Sequence, residues 1–334
     1  MPRISVILPV FNAAATLPRA LASIRAQTVR DWEIIAVDDG SDDESRGILE
    51  HFAGGEARMK VVALDTHRGV VAAHEAGLRA ACGEVVARMD ADDWSAPRRF
   101  ERQLAMLDAA PSLGAVSCRV RLLDALGDGM RRYVDWANSL LSPEDIAAQR
   151  FVEAPVIHPS AMIRRDWIER IGGYRDAGWP EDYDLWLRLL EAGCRMAKVD
   201  ETLFHWQDGP ARLTRRHPDY AEDAVWRMKA HHLARLPQAR EHGAALCGAG
   251  PIGRRLAGFL QAEGVGVRAI FDVDPRKIGR RVKGVEVLGH GEFGRRAREA
   301  MLISCVGVPG GRERVRDLAR GAGYREGGDF WCAC

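Results

Sequence analysis

The chain has 334 residues, with 48 Lys plus Arg against 47 Asp plus Glu and a formal net charge of +1, so no global field draws it to nucleic acid or to an anionic membrane. Any anionic ligand must be recognised locally, and the length suits two domains of ordinary size. The apolar run in MPRISVILPVFN is too short for a signal sequence, and no window approaches about 18 uninterrupted apolar residues, which excludes a membrane-spanning helix. Seven scattered cysteines (82, 118, 194, 247, 305, 332 and 334), with no CxxC pair, read as free thiols of a reducing compartment. The terminal WCAC supplies only half a tetrahedral metal site. The expected location is cytoplasmic, with peripheral attachment to the inner face of the membrane left open.

In chain order, ISVILPV (4–10) and EIIAV (33–37) are β-branched runs that read as strands. Between them TLPRALASIRAQT sets apolar residues 17, 20, 21 and 24 at helical spacing. The alternation repeats, with ESRGILEHFA a helix, MKVVAL a strand, GVVAAHEAGLRAA a helix and EVVARMD a strand. This predicts a mostly parallel, doubly wound α/β sheet with helices on both faces. Such sheets bind ligands at the carboxyl ends of their strands, where the polar motifs FN, DDGSDD, DTHRG and DADD all fall. Each alone also reads as a turn or helix cap, but their convergence predicts a site.

Asp90 and Asp92 alternate along what reads as extended backbone, so their side chains point the same way and can grip one hard cation, Mn²⁺ or Mg²⁺, that completes its shell with substrate phosphates. The bland alternative is that Asp93 or Ser95 caps a helix beginning near Pro97. Further on, GWPEDYDLWLRLLEAG carries apolar residues 185, 186, 189 and 190 on a helix that starts at Glu181 and Asp182. Acids suit a first helical turn electrostatically, yet a carboxylate fixed there beside a metal-bound diphosphate can also take a proton from an attacking hydroxyl.

The segments SVILPVFNAAATLPRALASIRAQTVRDWEIIAVDDGSDD, DADD, HPSAMIRR and PEDYDLWLRL, in order over residues 4 to about 215, resemble the inverting family 2 glycosyltransferases of the GT-A nucleotide-diphospho-sugar transferase fold. The resemblance implies that Pro9, Val10, Phe11 and Asn12 with Asp39 hold the nucleotide base. It assigns Asp90 and Asp92 to the ribose and to the metal on the diphosphate, and Asp182 to the catalytic base. It implies one displacement with inversion, from a nucleotide-sugar donor, expected to be a UDP-sugar, to a saccharide or lipid-linked acceptor. Arg68 is a further candidate for the diphosphate or a solvated surface residue. His158 and His205 either line the acceptor and metal region or serve structure. Phe11 stands where many relatives carry Tyr, and the missing QxxRW-like segment points to single-sugar transfer in surface polysaccharide or glycoconjugate synthesis.

Near residues 235–243 the pattern restarts, dividing the chain into expected domains 1–238 and 239–334. AALCGAGPIGRRLAGFL places Gly248, Gly250 and Gly253 at G-x-G-x-x-G spacing, with Asp272 and Asp274 lying 19 and 21 residues beyond the last glycine. This part resembles the small Rossmann-like nucleotide-binding modules of sugar acyltransferases. The resemblance implies a phosphate on the helix start and a ribose on Asp272; dimerisation or acceptor placement are the alternatives. Two other readings of the whole chain are an NAD(P)-dependent sugar-modifying oxidoreductase and a non-catalytic nucleotide-sugar-binding protein. The first lacks an evident Tyr-x-x-x-Lys, and the second sits poorly with Asp39, Asp90, Asp92 and Asp182 all being present.

Overall fold

The structure is a computed structural model that describes residues 1–210, 212–297, 299–308 and 310–334. It divides into two compact units: Met1–Ile146, Pro155–Ala177 and Glu181–Arg216 form the first, and Ala147–Ala154, Gly178–Pro180 and His217–Cys334 the second.

The first unit opens with strict alternation: β1 (Ile4–Val10), α1 (Leu17–Arg25), β2 (Trp32–Asp38), α2 (Ser45–Gly54), β3 (Met59–Ala63), α3 (Val70–Ala80) and β4 (Val85–Arg88). These four strands lie side by side in the order β3-β2-β1-β4, all parallel. Both faces of β2 are buried: Ile34 and Ala36 pack with Leu17, Leu21 and Ile24 of α1, while Ile35 and Val37 pack with Ala73 and Ala76 of α3. That two-sided burial is why the strands read as continuous apolar runs.

The rest of this unit is mixed. After β5 (Trp94–Ser95), α4 (Arg99–Ala109), β6 (Leu113–Leu123), α5 (Asp128–Ser139) and α6 (Pro143–Gln149) come β7 (Met162–Arg164), α7 (Arg165–Arg170), α8 (Glu181–Glu191) and β8 (Arg195–Gln207). The sheet continues β4-β7-β6-β8-β5, with β7 antiparallel to both β4 and β6 and β5 antiparallel to β8. Antiparallel strands on a parallel core are common in large sheets. β1 runs on to β2 on one side and has β4 on the other, so the strand order reverses between β1 and β4. Open sheets of this type take ligands at that reversal.

The first unit ends with α9 (Leu213–Arg216); the second holds α10 (Glu222–Ala234), α11 (Pro237–His242), β9 (Ala244–Cys247), α12 (Pro251–Ala262) and β10 (Val267–Asp272). There follow a hairpin of β11 (Arg281–Val282) and β12 (Val285–Gly289), α13 (Phe293–Arg296), β13 (Met301–Ser304), α14 (Gly311–Gly321) and β14 (Phe330–Cys332). Its sheet runs β11-β12-β10-β9-β13-β14, parallel except for β11. The order reverses at β9, whose carboxyl end carries the glycine-rich turn. A Cβ at Gly253 would stand 1.8 Å from the Gly248 carbonyl oxygen, so only glycine lets α12 start this close to the turn.

Candidate active site

Val10 pairs with Asp38 and Ile7 with Arg88, so the loops after β1, β2 and β4 leave the sheet along one edge. Asn12 adopts φ 48°, a left-handed conformation that Asn tolerates. Its Oδ1 accepts from Asp42 N at 3.0 Å and its own N–H donates to Ser41 Oγ at 3.1 Å. Ala13 N donates to Ser45 Oγ at 2.8 Å and Ala14 N to Asp43 Oδ2 at 3.0 Å, lacing the first loop to the second.

Gly40, at φ 71°, passes so close to the next loop that a Cβ would lie 2.6 Å from His67 N. Asp39 is buried and already engaged. Its Oδ1 accepts from Arg68 N at 2.8 Å, and its Oδ2 accepts from Gly69 N at 2.9 Å and faces His67 Nδ1 at 2.8 Å. Arg68 therefore meets Asp39 through its backbone amide, while its side chain is exposed. The Phe11 ring, 43% exposed, stacks on His67 with centroids 3.8 Å apart and planes at 20°. Pro9 and Val10 belong to β1, with Val10 in the core and Pro9 half-buried.

The acidic motif differs from the expected extended strand. β4 ends at Arg88, residues 91 and 92 form a turn, and Asp93 N donates back to Asp90 O at 3.3 Å. The turn, rather than strand alternation, gathers the carboxylates: oxygens of Asp90, Asp92 and Asp93 all lie within 4.8 Å of one another. Neither Asp93 nor Ser95 caps α4, whose N-cap position is Arg98. Asp93 is fully buried; its Oδ1 accepts from Gln207 N at 2.8 Å and its Oδ2 has no hydrogen-bond partner. Burial, then the Asp92 and Asp90 charges, push the Asp93 carboxyl well above its usual range. Asp92 is pushed up to about 6, first by burial and then by Asp90, with Arg212 and Arg19 opposing.

Asp90 is held from below. Arg88, 1% exposed, donates from Nη2 to Asp90 Oδ1 at 2.9 Å, from Nη1 to Ile7 O at 2.7 Å and from Nε to His158 Nε2 at 3.3 Å. His158 Nε2 also lies 2.6 Å from the Tyr174 hydroxyl, and the His74 ring sits 4.4 Å from that of Tyr174. Burial, with Arg88 adding, holds both histidines well below their ordinary range and therefore neutral. His158 thus supports the acidic turn through Arg88. His205 sits edge-on at 4.4 Å to Trp94, the residue that follows Asp93, in the β5–β8 pair. Sequence reasoning missed Arg88, His67, Tyr174, Arg19 and Arg212; of these only Arg88 leaves a local signal, a charged residue inside an otherwise apolar buried strand.

Asp182 stands half-buried in the first turn of α8, beside buried Glu181. Tyr174, whose hydroxyl lies 2.6 Å from His158 Nε2, stands within electrostatic range of both this helix start and the acidic turn. Burial raises its hydroxyl above the ordinary range and Arg88 opposes, while the charges of Glu181, Asp182 and Asp90 all add to the rise. Both acidic stations thus bear electrostatically on one side chain. The carboxylates of Asp90, Asp92 and Asp93 fit a hard divalent cation: they offer oxygen donors only, one of them buried without a partner, and two are raised by burial and then by the negative charge of their neighbours.

In the second unit, Gly248 and Gly250 form the turn between β9 and α12, Gly253 lies in the first turn of α12, and a Cβ at Gly250 would meet nothing within 4 Å. Asp272 faces inward. Its Oδ2 accepts from Ala249 N at 2.8 Å and Lys277 Nζ at 3.0 Å, and its Oδ1 accepts from Asp274 N at 2.9 Å.

The family model described as Glycosyl transferase family 2 matches residues 5–172. EpsE of Bacillus subtilis (strain 168), assigned as a glycosyltransferase, is 30% identical over 241 residues, spanning 71% of this chain and 84% of its own length. The amylovoran biosynthesis glycosyltransferase AmsE of Erwinia amylovora is 28% identical over 214 residues, 64% of this chain and 79% of its own. Among solved structures, the mannosyltransferase PcManGT from Pyrobaculum calidifontis, in complex with GDP-Man and Mn²⁺, has a TM-score of 0.53 at 23% identity, covering 70% of this chain and 62% of that one. S. aureus TarS 1–349 in complex with UDP-GlcNAc has a TM-score of 0.60 at 18% identity, covering 77% and 71%. At these identities the structural likeness establishes the fold, which is GT-A.

Proposed function

The chain belongs to glycosyl transferase family 2, and on that premise we propose that its first unit moves one sugar from a nucleotide-diphospho-sugar to an acceptor hydroxyl with inversion. The observation that carries the reading is the gathering of Asp90, Asp92 and Asp93 at the strand-order reversal, with Asp182 bearing on the same tyrosine as Asp90.

In this reading the base sits against Phe11 in the loop Pro9–Asn12, near Asp39, and Asp90 and Asp92 hold Mn²⁺ or Mg²⁺ on the diphosphate. When bound, such an ion supplies charge stabilisation for the leaving nucleoside diphosphate. Arg88 fixes the orientation of Asp90 through Oδ1. Asp182 takes the proton from the acceptor hydroxyl as that oxygen attacks the anomeric carbon. Direct attack by the acceptor oxygen requires no carboxylate nucleophile, so in this reading there is a single displacement and hence inversion, in contrast to retaining glycosidases.

The ligands named for PcManGT and TarS, a GDP-sugar with Mn²⁺ and a UDP-sugar, support a nucleotide-diphospho-sugar donor and a divalent ion here, with a UDP-sugar our choice. The amylovoran role in the name of AmsE supports surface polysaccharide or glycoconjugate synthesis, with a saccharide or lipid-linked acceptor. Among the described residues no helix is long and apolar enough to cross a membrane. The test is a screen of UDP-, GDP- and other nucleotide-sugars with Mn²⁺ or Mg²⁺, scored by nucleoside diphosphate release. Release from one donor that requires the metal supports the reading, and no release from any donor with a range of saccharide acceptors counts against it.

A further inference from the structure

Resting on the reading of Asp182 as the base, we propose that Trp179 is a positioning residue for the Asp182 carboxylate, and that α10, by holding Gly178 and Trp179, sets the geometry of proton removal from the acceptor.

The chain reaches Asp182 through a stretch with no regular structure of its own. From Ile171 to Pro180 there is neither helix nor strand, and Arg175 and Asp176 are exposed. α8 is seated by buried Tyr183, Leu185, Trp186 and Leu189, which fixes its axis. The first turn of any helix has N–H groups without intrahelical partners, so its geometry depends on what precedes it. The Asp182 carboxylate follows that turn closely, because its Oδ1 accepts from Tyr183 N at 2.7 Å. What precedes the turn is Trp179 and Pro180. Proline fixes its own φ at about −65° and confines the residue before it to extended backbone, so this pair is a stiff link that passes on the position of Trp179.

The far end of the link is fastened within the second unit, to which Gly178–Pro180 belong. Arg227 Nη2 donates to Gly178 O at 3.0 Å, and the Trp179 ring lies 5.4 Å from that of His231 with the planes at 35°. Arg227 and His231 stand one turn apart on the same face of α10. His231 Nδ1 lies 3.3 Å from Glu263 Oε2 at the end of α12. α10 is itself immobilised: Lys229, 3% exposed, donates from Nζ to Val152 O at 2.9 Å and to Ala333 O at 3.0 Å. A buried ammonium needs such acceptors, so the helix cannot shift without stranding it.

The same helix fastens the chain a second time. Ala147–Ala154 also belong to the second unit, where Phe151 stands edge-on to Trp331 at 5.2 Å and Val152 accepts from Lys229. Residues 155–177, which carry His158 and Tyr174, lie between the two fastenings. Within the first unit Tyr174 is tied by its own amide to Glu75 Oε1 at 2.7 Å, and His158 is tied by Arg88. Loosening the hold on Trp179 should therefore leave the donor side in place and disturb Asp182.

The test is steady-state kinetics of the full chain, with the donor and acceptor that support transfer and with Mn²⁺, for Trp179→Ala, Trp179→Phe, Arg227→Gln, Asp182→Asn and the double variant Trp179→Ala with Asp182→Asn. Trp179→Ala should lower kcat by about tenfold or more while the donor KM stays within about twofold. Trp179→Phe should restore most of the rate. Arg227→Gln, at an exposed position, should give a smaller loss of the same kind with the unfolding temperature unchanged. In the Asp182→Asn background Trp179→Ala should cost little further, because the group it positions is gone. Parent kcat in folded Trp179→Ala and Arg227→Gln, a rise in donor KM that matches the loss of kcat, or an equal loss in the Asp182→Asn background would each overturn the positioning role and leave Asp182 as the base. Transfer at the parent rate in Asp182→Asn removes the base, and the positioning role with it.

Discussion

Arg88 donates to Asp90 Oδ1 at 2.9 Å from a position only 1% exposed, so the first carboxylate of the acidic turn is oriented by a cation inside the sheet. The same guanidinium bonds Ile7 O and His158. Lysine keeps the charge but loses the planar fork that reaches all three partners. Arg88→Lys should weaken Mn²⁺ activation by about 10- to 100-fold, the range typical of groups that orient metal ligands. A Mn²⁺ titration of donor turnover checks this, and thermal unfolding measured alongside separates misorientation from loss of the fold. An unchanged metal requirement in a folded variant contradicts the role.

His67 covers one face of Phe11, the ring against which the nucleotide base is proposed to sit, and it also faces Asp39 Oδ2. Stacking of a base on an aromatic ring is worth about 1–3 kcal/mol. Phe11→Ala should therefore raise the donor KM by roughly tenfold or more, whereas His67→Ala should leave it equal or lower by uncovering the ring. A donor KM that rises in His67→Ala would mean that the histidine itself holds the base.

The pH response of the metal-free protein follows from Asp92, whose folded pKa of about 6 lies above its ordinary value of 3.8. The protonated form is the one the fold favours. The stability it contributes is fully present below about pH 4 and is lost as pH rises through about 6. Asp92→Asn should then stabilise the metal-free protein at pH 7–8, by on the order of 1 kcal/mol or about 2–4 °C in Tm, and the gain should shrink toward pH 4.5. Mn²⁺ should raise the Tm of the parent at pH 7.5 more than that of the variant. A stabilising effect of Asp92→Asn that is independent of pH contradicts the assignment.

Gly253 packs α12 against the turn after β9, and its replacement by alanine puts a methyl 1.8 Å from the Gly248 oxygen. Overpacking of this kind costs about 1–3 kcal/mol or more. Gly253→Ala should lower the unfolding transition of the second unit, while Gly250→Ala, whose Cβ meets nothing within 4 Å, should leave it within about 0.5 kcal/mol. Differential scanning calorimetry of both variants distinguishes them.

The strand–helix alternation up to β4 was legible because parallel strands buried on both faces produce unbroken apolar runs separated by amphipathic helices. The long strands β6 and β8 were not, since SCRVRLL and ETLFHWQ mix charged and apolar residues over stretches that are only partly buried. Asp90, Asp92 and Asp182 could be named from motif and position. What surrounds them could not: Arg88, His158, Tyr174 and His74 come from separate segments, and only the antiparallel insertion of β7 beside β4 brings the 158–174 stretch under the acidic turn. Sequence also gave no sign that Asp39 and Asp272 turn inward, because an acid satisfied by backbone amides and one offered to a ligand look alike in a motif.

The most direct measurement is donor binding and transfer rate side by side in Asp182→Asn, with the identified donor and Mn²⁺. If Asp182 removes the acceptor proton, donor affinity stays within about twofold of the parent while transfer falls by about 10²- to 10⁴-fold, the usual contribution of a general base. Transfer at the parent rate in a variant that binds donor normally would contradict the account.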